Sequence, residues 1–312
     1  MADTLTPTSG ETPDDTAAVL AEAEQLGEKP ESFGQQTWRK FRGHRLAVIG
    51  VLLLILLVVA FIFGPSLSDK QFDERDIANR AKGISTDAWF GTDDLGRDLF
   101  VRTMIGGRFS LQIALITAIC ATAVGALFGS LAGYFGGVVD GTVNFLVNLL
   151  LTIPVLAVLL VVSVRFEATT PVRVALLIVA FSWIRSTRVV RAQVLQLKEM
   201  EFVQAARAAG AGAPRIILRH ILPNVAGALL VEATLIAGTA IILESTLSFL
   251  GFGVQPPEAT LGTLIDDAKG SIDTRPSRVL IPGAIITMIV LSLNFIGDGL
   301  RDALDPKSRQ ER

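Results

Sequence analysis

The sequence is poor in the side chains that carry chemistry. Its 312 residues include one cysteine and two histidines, His44 and His220. Neither histidine has a companion at a metal-ligand spacing such as HExxH, so zinc chemistry is not expected. Both fall in polar flanks, out of reach of any serine inside an apolar run, which disfavours a Ser-His membrane hydrolase. No GxxxxGK[ST] phosphate loop occurs, so the chain is not expected to hydrolyse ATP on its own. Cys120 has no partner for an intrachain disulfide and, inside an apolar run, reads as helix packing. Excess charge is missing too: the formal net charge is -2, with no basic field to attract nucleic acid. No catalytic residue, metal site or cofactor is therefore assigned to this chain.

What the sequence has in quantity is apolar length. Half of it, 50%, is hydrophobic, its mean hydropathy is +0.52, and its charges clump between apolar runs, a pattern suited to a bilayer. Residues 1–37 are rich in Asp, Glu, Thr, Pro and Ala and read as a disordered tail, because they bury too little to offset the entropy of ordering. A basic flank, Trp38, Arg39, Lys40, Phe41, Arg42, His44 and Arg45, then leads into an apolar stretch from Leu46 to Phe63, closed by Gly64 and Pro65. It lies far from Met1, is long enough to span and lacks a following small-x-small cleavage pattern, so a retained anchor is expected rather than a secretory signal. Similar windows recur near 110–133, 142–163, 172–190, 225–250 and 279–297, predicting an all-α polytopic membrane protein with six transmembrane helices. Gly125, Gly129 and Gly133, at four-residue spacing, read as a close helix contact.

Lys and Arg set the orientation. The flank before the first window is basic without an acid among Arg39, Lys40, Arg42 and Arg45. The connection between the fourth and fifth windows holds Arg188, Arg191, Lys198, Arg207, Arg215 and Arg219 against Glu199 and Glu201. Both are expected inside. Residues 65–109, 164–171 and 251–278 are then outside, and both termini, including the tail 307–312, are cytoplasmic in a plasma (inner) membrane protein.

The inside segment 191–224 contains KEMEFVQAARAAGAGAPRIILRHILPN from Lys198 to Asn224. Phe202, Ala205, Ala206 and Ala209 fall at i, i+3, i+4 and i+7, one small apolar face flanked by Glu201, Gln204 and Arg207. Gly210 to Pro214 break the helix. Arg215 and Arg219 follow at i and i+4 on a second one, which Leu222 and Pro223 are expected to end. Small residues and a glycine hinge suit a protein groove; the alternative is a basic loop resting on anionic headgroups.

In these residues the sequence resembles the permeases of binding-protein-dependent ABC importers, whose loop carries Glu-Ala-Ala, three residues, Gly, and a later Ile-x-Leu-Pro. Gln204, Ala205, Ala206, Gly210, Leu222 and Pro223 occupy those positions, with Gln204 replacing the Glu and His220 the Ile. FGTDDLGRD (Phe90–Asp98), LSFLGFGVQPP (Leu247–Pro257) and LRDALDP (Leu300–Pro306) are similar to the dipeptide, oligopeptide and nickel branch, its second, C-type permease. The resemblance implies the type I importer fold, with residues 110–306 as a five-helix permease core. It also implies a coupling helix near 201–221 that docks on a separate ATPase. The implied partners are a second homologous permease, two ATP-binding subunits carrying ATP and Mg, and an extracytoplasmic substrate-binding protein. The implied cargo is a short peptide moved by alternating access within membrane lipid, with nickel or another small solute as the alternative. An ion-coupled secondary transporter is the reading from another class.

Four further features stay open from sequence. Gly91, Gly96, Asp93, Asp94 and Asp98 describe an Asx-capped turn that either only caps a helix or also contacts a delivery protein. Gly251 and Gly253, with Pro256 and Pro257, end the fifth window, and a gating role is left open. Glu244 divides between an interface and the translocation path, and Glu232 leans towards pairing with a neighbouring helix over lining the cavity.

Overall fold

A computed structural model describes residues 33–165 and 169–304. Among the described residues the protein is helical, with a single antiparallel bridge between Thr92 and Asp98. The expected disorder of the first residues and the tail 307–312 lie outside the described residues, as does the end of the Leu300–Pro306 stretch. Residues 33–37, assigned to that tail, instead begin helix α1 (Phe33–Gly43). Its reason to form lies downstream: Trp38 stacks on Phe41, and Phe41 is buried with Ala47 and Ala303.

Helix α2 (Arg45–Phe63) starts where His44 Nδ1 accepts the Ala47 N–H at 3.1 Å, so the first histidine serves as an N-cap. It lies along α11 (Ser277–Leu304), and the approach is close because glycines face it. A Cβ on Gly50 would sit 2.8 Å from the Ser292 carbonyl oxygen, and one on Gly299 would sit 2.3 Å from the Ala47 Cβ. Its remaining faces expose Leu52, Leu56 and Ile62, as a helix bordered by lipid would.

Helix α3 (Leu99–Phe135) has 37 residues, about 55 Å at 1.5 Å per residue. It starts eleven residues before the apolar window predicted it, because Asp98 Oδ1 caps it by accepting from the N–H groups of Phe100 and Val101. The expected packing role of the glycine row holds. A Cβ on Gly125 would lie 2.4 Å from Ser186 Cβ, on Gly129 2.7 Å from the Thr187 oxygen, and on Gly133 2.8 Å from Val194 Cβ. All three neighbours are on α6 (Pro171–Leu197).

The third predicted window is not one straight helix. Helices α4 (Gly137–Thr152) and α5 (Val155–Arg165) meet at 89°, since Pro154 drives Ile153 into an extended conformation. Among the described residues four helices are long and apolar enough to cross a membrane, five if the bent pair is one span, against the six predicted. Every predicted window is helical, but α6 carries Arg173, Arg185 and Arg188 among its apolar residues.

Beyond α6 come α7 (Glu201–Ala208), the single turn α8 (Ala213–Ile216), and α9 (Leu222–Phe249). Leu222 and Pro223 do not end a helix, contrary to expectation. Pro223 has no N–H for the carbonyl four residues back, so residues 217–221 widen into a π turn, Leu222 N donates to the Ile217 oxygen, and α8 runs on into α9. The short α10 (Leu261–Ala268) is fixed by a capping box between Thr260 and Thr263.

Long-range contacts sort the connections to two ends. At one end His44 meets Asp302 at 3.3 Å, Asp140 meets Arg191, and Gly227 approaches Leu304. At the other, Arg278 meets Asp94, Ser163 donates to the Phe252 carbonyl, and the Gln255 N–H donates to Thr169. Both described chain ends therefore share a side with the 198–221 loop.

Candidate functional site

The loop helix α7 is held from behind. Val203 is 0% exposed and packs with Val190, Val194, Ile216, Ile221 and Val225, with Ala206 and Ala211 partly buried against them. The face predicted from spacing thus divides: Ala206 turns inward beside Val203, a residue the pattern passed over, while Phe202, Ala205 and Ala209 stay exposed. Glu201 sits in the first turn, where a negative charge suits the helix dipole. Gln204 Nε2 reaches back to the Lys198 oxygen and Glu199 Oε2 at 3.3 and 3.4 Å. The Arg207 guanidinium lies 5.7 Å from the Tyr134 ring centre at the end of α3.

Gly210 ends this helix rather than loosening it. It has φ +82°, its N–H donates to the Arg207 oxygen, and the Ala211 N–H donates to the Ala206 oxygen; these bonds make a Schellman motif with glycine at its left-handed position. The contact that usually accompanies such a motif is present as Ala206 and Ala211 in one apolar cluster. Arg215 and Arg219 are exposed beyond it, without acidic partners among the described residues, and Leu222 and Pro223 begin α9. The result is a stiff, small-residue ledge joined by buried valines and isoleucines to two long helices.

The two acids of the fifth window part company. Glu244 is fully buried and receives hydrogen bonds from Thr260 Oγ1 at 2.5 Å and Ser248 Oγ at 2.7 Å, with Ser245 and Ser110 hydroxyls at 3.4 and 3.5 Å. It ties α9 to α3 and to the start of α10. Glu232 meets Arg185 of α6, Oε2 to Nε at 2.9 Å, the helix pairing towards which the sequence leaned. That oxygen is not in hydrogen-bonding alignment, so the pair is electrostatic. Arg185 was not foreseen as a site residue. Its signal was present: a cation in an apolar window rarely faces lipid.

Gly251 and Gly253 complete the stop of α9. Gly251 has φ +83° in a second Schellman motif, with the Phe252 N–H donating to the Leu247 oxygen at 2.8 Å. Gly253 lies so near Ser248 that a Cβ would be 1.9 Å from its hydroxyl oxygen.

At the opposite end from the loop, the 90–98 turn is pinned inward. Asp93 Oδ1 accepts the N–H groups of Leu95 and Arg97, Gly91 and Gly96 have φ +81° and +79°, and a Cβ on Gly96 would strike the Asp76 oxygen. Arg97 bonds Asp93 at 2.6 Å. Arg102, 3% exposed, lies 3.6–3.9 Å from Asp267, Asp73 and Asp93 and over the Phe72 ring. Arg278 bridges from α11 to Asp94 at 2.9 Å and donates to the Thr92 oxygen. The Arg278 hydrogen bond holds the Asp94 carboxyl below its ordinary range, whereas burial pushes that of Asp267 up, with Arg102 opposing. This network staples residues 73–98 to α3, α10 and α11; none of these arginines was singled out from sequence.

The family described as "Binding-protein-dependent transport system inner membrane component" matches residues 125–310, and "N-terminal TM domain of oligopeptide transport permease C" matches residues 32–83. The chain is 38% identical over 295 residues to the oligopeptide transport system permease protein OppC of Bacillus subtilis, covering 94% of this chain and 96% of that protein. It is 39% identical over 292 residues to OppC of Escherichia coli, with 92% and 96% covered. It is 37% identical over 290 residues to the dipeptide transport system permease protein DppC of Bacillus subtilis, with 93% and 90% covered.

Proposed function

The chain belongs to the family of binding-protein-dependent transport system inner membrane components, and on that footing we propose that it is the permease subunit of an ATP-driven importer of short peptides. It is a non-catalytic membrane subunit with the type I importer permease fold. The names of its relatives, oligopeptide and dipeptide permeases, put peptide ahead of nickel or another small solute as the cargo. An ion-coupled secondary transporter is not favoured in a family that depends on a binding protein.

In this reading the chain pairs with a second, similar permease and with two ATP-binding subunits that hold ATP and Mg. An extracytoplasmic binding protein delivers cargo to the end formed by residues 65–98 and 250–277, with Ser163 and Thr169 beside them. A cytoplasmic position for the opposite end and both termini, in a plasma (inner) membrane, is supported by the basic flank at Arg39–Arg45 and the arginines of the 198–221 loop. The observation that carries the reading is the ledge at α7. Phe202, Ala205 and Ala209 are free to contact another protein, while Val203 and Ala206 fix the same helix to α6 and α9. A push on the ledge moves the spanning helices as a body, so closure of the ATPases is transmitted as alternating access. Gly251 and Gly253 cap α9 at the outer mouth, where a gate would act.

The test is Ala205→Trp in the complete transporter, reconstituted with its binding protein. Peptide uptake is expected to fall at least tenfold while the amount of subunit in the membrane is unchanged. A loop that merely rests on headgroups would welcome the tryptophan, so normal uptake and normal ATPase association would refute docking at this face.

A further inference from the structure

Arg185 stands near the middle of α6, about 21 Å along it from Pro171 at 1.5 Å per residue. Its side chain is 61% exposed. An arginine facing lipid at that depth costs about 2.5–3.5 kcal/mol or more, so its exposed side faces water or protein. What it faces is a cavity of about 620 Å³, within the range of small-ligand sites. Phe181, Ser182 and Arg188 of α6 and Thr239 and Leu243 of α9 share its wall with Arg185, and the bend between α4 and α5 closes one side.

The charge in this cavity is of one sign. Glu232 is 7% exposed and lies behind Arg185, offsetting it from outside the lining. Nearly two turns beyond Arg185, Arg191 is neutralised by Asp140, with Nε and Nη2 at 2.5 and 2.7 Å from its carboxylate. Arg188 lies between these two pairs, exposed into the cavity and without an acidic partner among the described residues. The lining hydroxyls donate to their own helices, Ser182 to the Ile178 oxygen and Thr239 to the Leu235 oxygen. The guanidinium of Arg188 is thus left as the principal donor the cavity offers.

We infer that Arg188, backed by Arg185, reads a carboxylate of the cargo as it passes through this chain. A guanidinium binds a carboxylate with two parallel hydrogen bonds, and the apolar wall accepts side chains without distinguishing them. Glu232 restrains Arg185, so the cavity holds one available positive charge, enough to select an anion without retaining it. The inference rests on the transport reading and adds to it a preference for anionic cargo located on α6.

The experiment uses the reconstituted complex and two tripeptides that differ only in a central Glu or Lys, each supplied at concentrations that saturate the binding protein. Arg188→Glu is expected to raise the Lys-to-Glu ratio of maximal uptake rates at least tenfold. Arg188→Gln shifts it in the same direction by less and Arg188→Lys leaves it near the wild-type value. Should Arg188→Glu fail to assemble, the Gln and Lys variants carry the comparison. A ratio unmoved by Arg188→Gln overturns the inference, and so does loss of co-purification with the second permease in that variant, which would place the partner acid on that subunit. Wild-type vesicles that take up neither peptide refute the transport reading itself and the inference with it.

Discussion

Replacing Gly210 separates two reasons for a glycine in the loop. If the residue is there for its left-handed backbone, at φ +82°, the cost of a side chain is torsional, because a Cβ at this position meets nothing within 4 Å. An L-residue held left-handed loses about 1–2 kcal/mol, a factor of about 5–30 in the population of the closed Schellman motif. Opening the motif frees Ala211 from the Ala206 oxygen and loosens the ledge from α8 and α9. Asparagine tolerates this backbone region better than alanine, and a β-branched valine worst of all. The expected order of peptide uptake per ATP hydrolysed, measured in proteoliposomes with binding protein present, is Gly210, then Gly210→Asn, then Gly210→Ala, then Gly210→Val. The alanine variant is lowered by up to the factor above. If the glycine instead leaves room for a partner surface, size alone matters. Alanine would then outperform asparagine, and that result would refute the backbone argument.

Two further substitutions test the packing of the long helices. Gly129→Leu places a Cβ 2.7 Å from the Thr187 oxygen and 2.8 Å from Val190 Cβ. Overpacking of that kind costs about 1–3 kcal/mol, so the detergent-solubilised subunit should unfold at a lower temperature than wild type; an unchanged midpoint would contradict the α3–α6 contact. Glu244→Ala removes the acceptor for the Ser248 and Thr260 hydroxyls and should destabilise by about 1–3 kcal/mol for each group left unsatisfied, whereas Glu244→Gln retains an oxygen and keeps most of the uptake. A stable Glu244→Gln variant with no uptake would return this residue to the translocation path.

The features legible in the sequence are those written in consecutive residues. Apolar windows mark every long helix, though Arg173, Arg185 and Arg188 interrupt that of α6, the glycine row at 125, 129 and 133 marks a close contact, and the loop residues carry the family motif. Pro154 stands where the third window bends, although the 89° of the bend depends on what α5 packs against. The pattern also misassigned residues where two local rules compete. The small apolar face at 202–209 was drawn through Ala206, which turns inward beside the buried Val203, while Phe202, Ala205 and Ala209 of that face stay exposed. Leu222 and Pro223 looked like a helix stop, and a π turn absorbed the proline instead.

By itself, then, the sequence determined that this protein is helical, lives in a membrane and carries its family's loop motif, because hydrophobic run length, glycine spacing and motif order are one-dimensional properties. Only the tertiary structure decided what each ionisable group does. Glu232 meets an arginine from a different helix, and Glu244 meets hydroxyls as distant in sequence as Ser110 and Thr260. Asp140 neutralises Arg191 while Arg188 keeps its charge for the cavity. The physical reason is that a charge in an apolar medium is governed by which neighbour lies within a few ångströms, and that depends on how whole helices rotate and cross, which no local window contains.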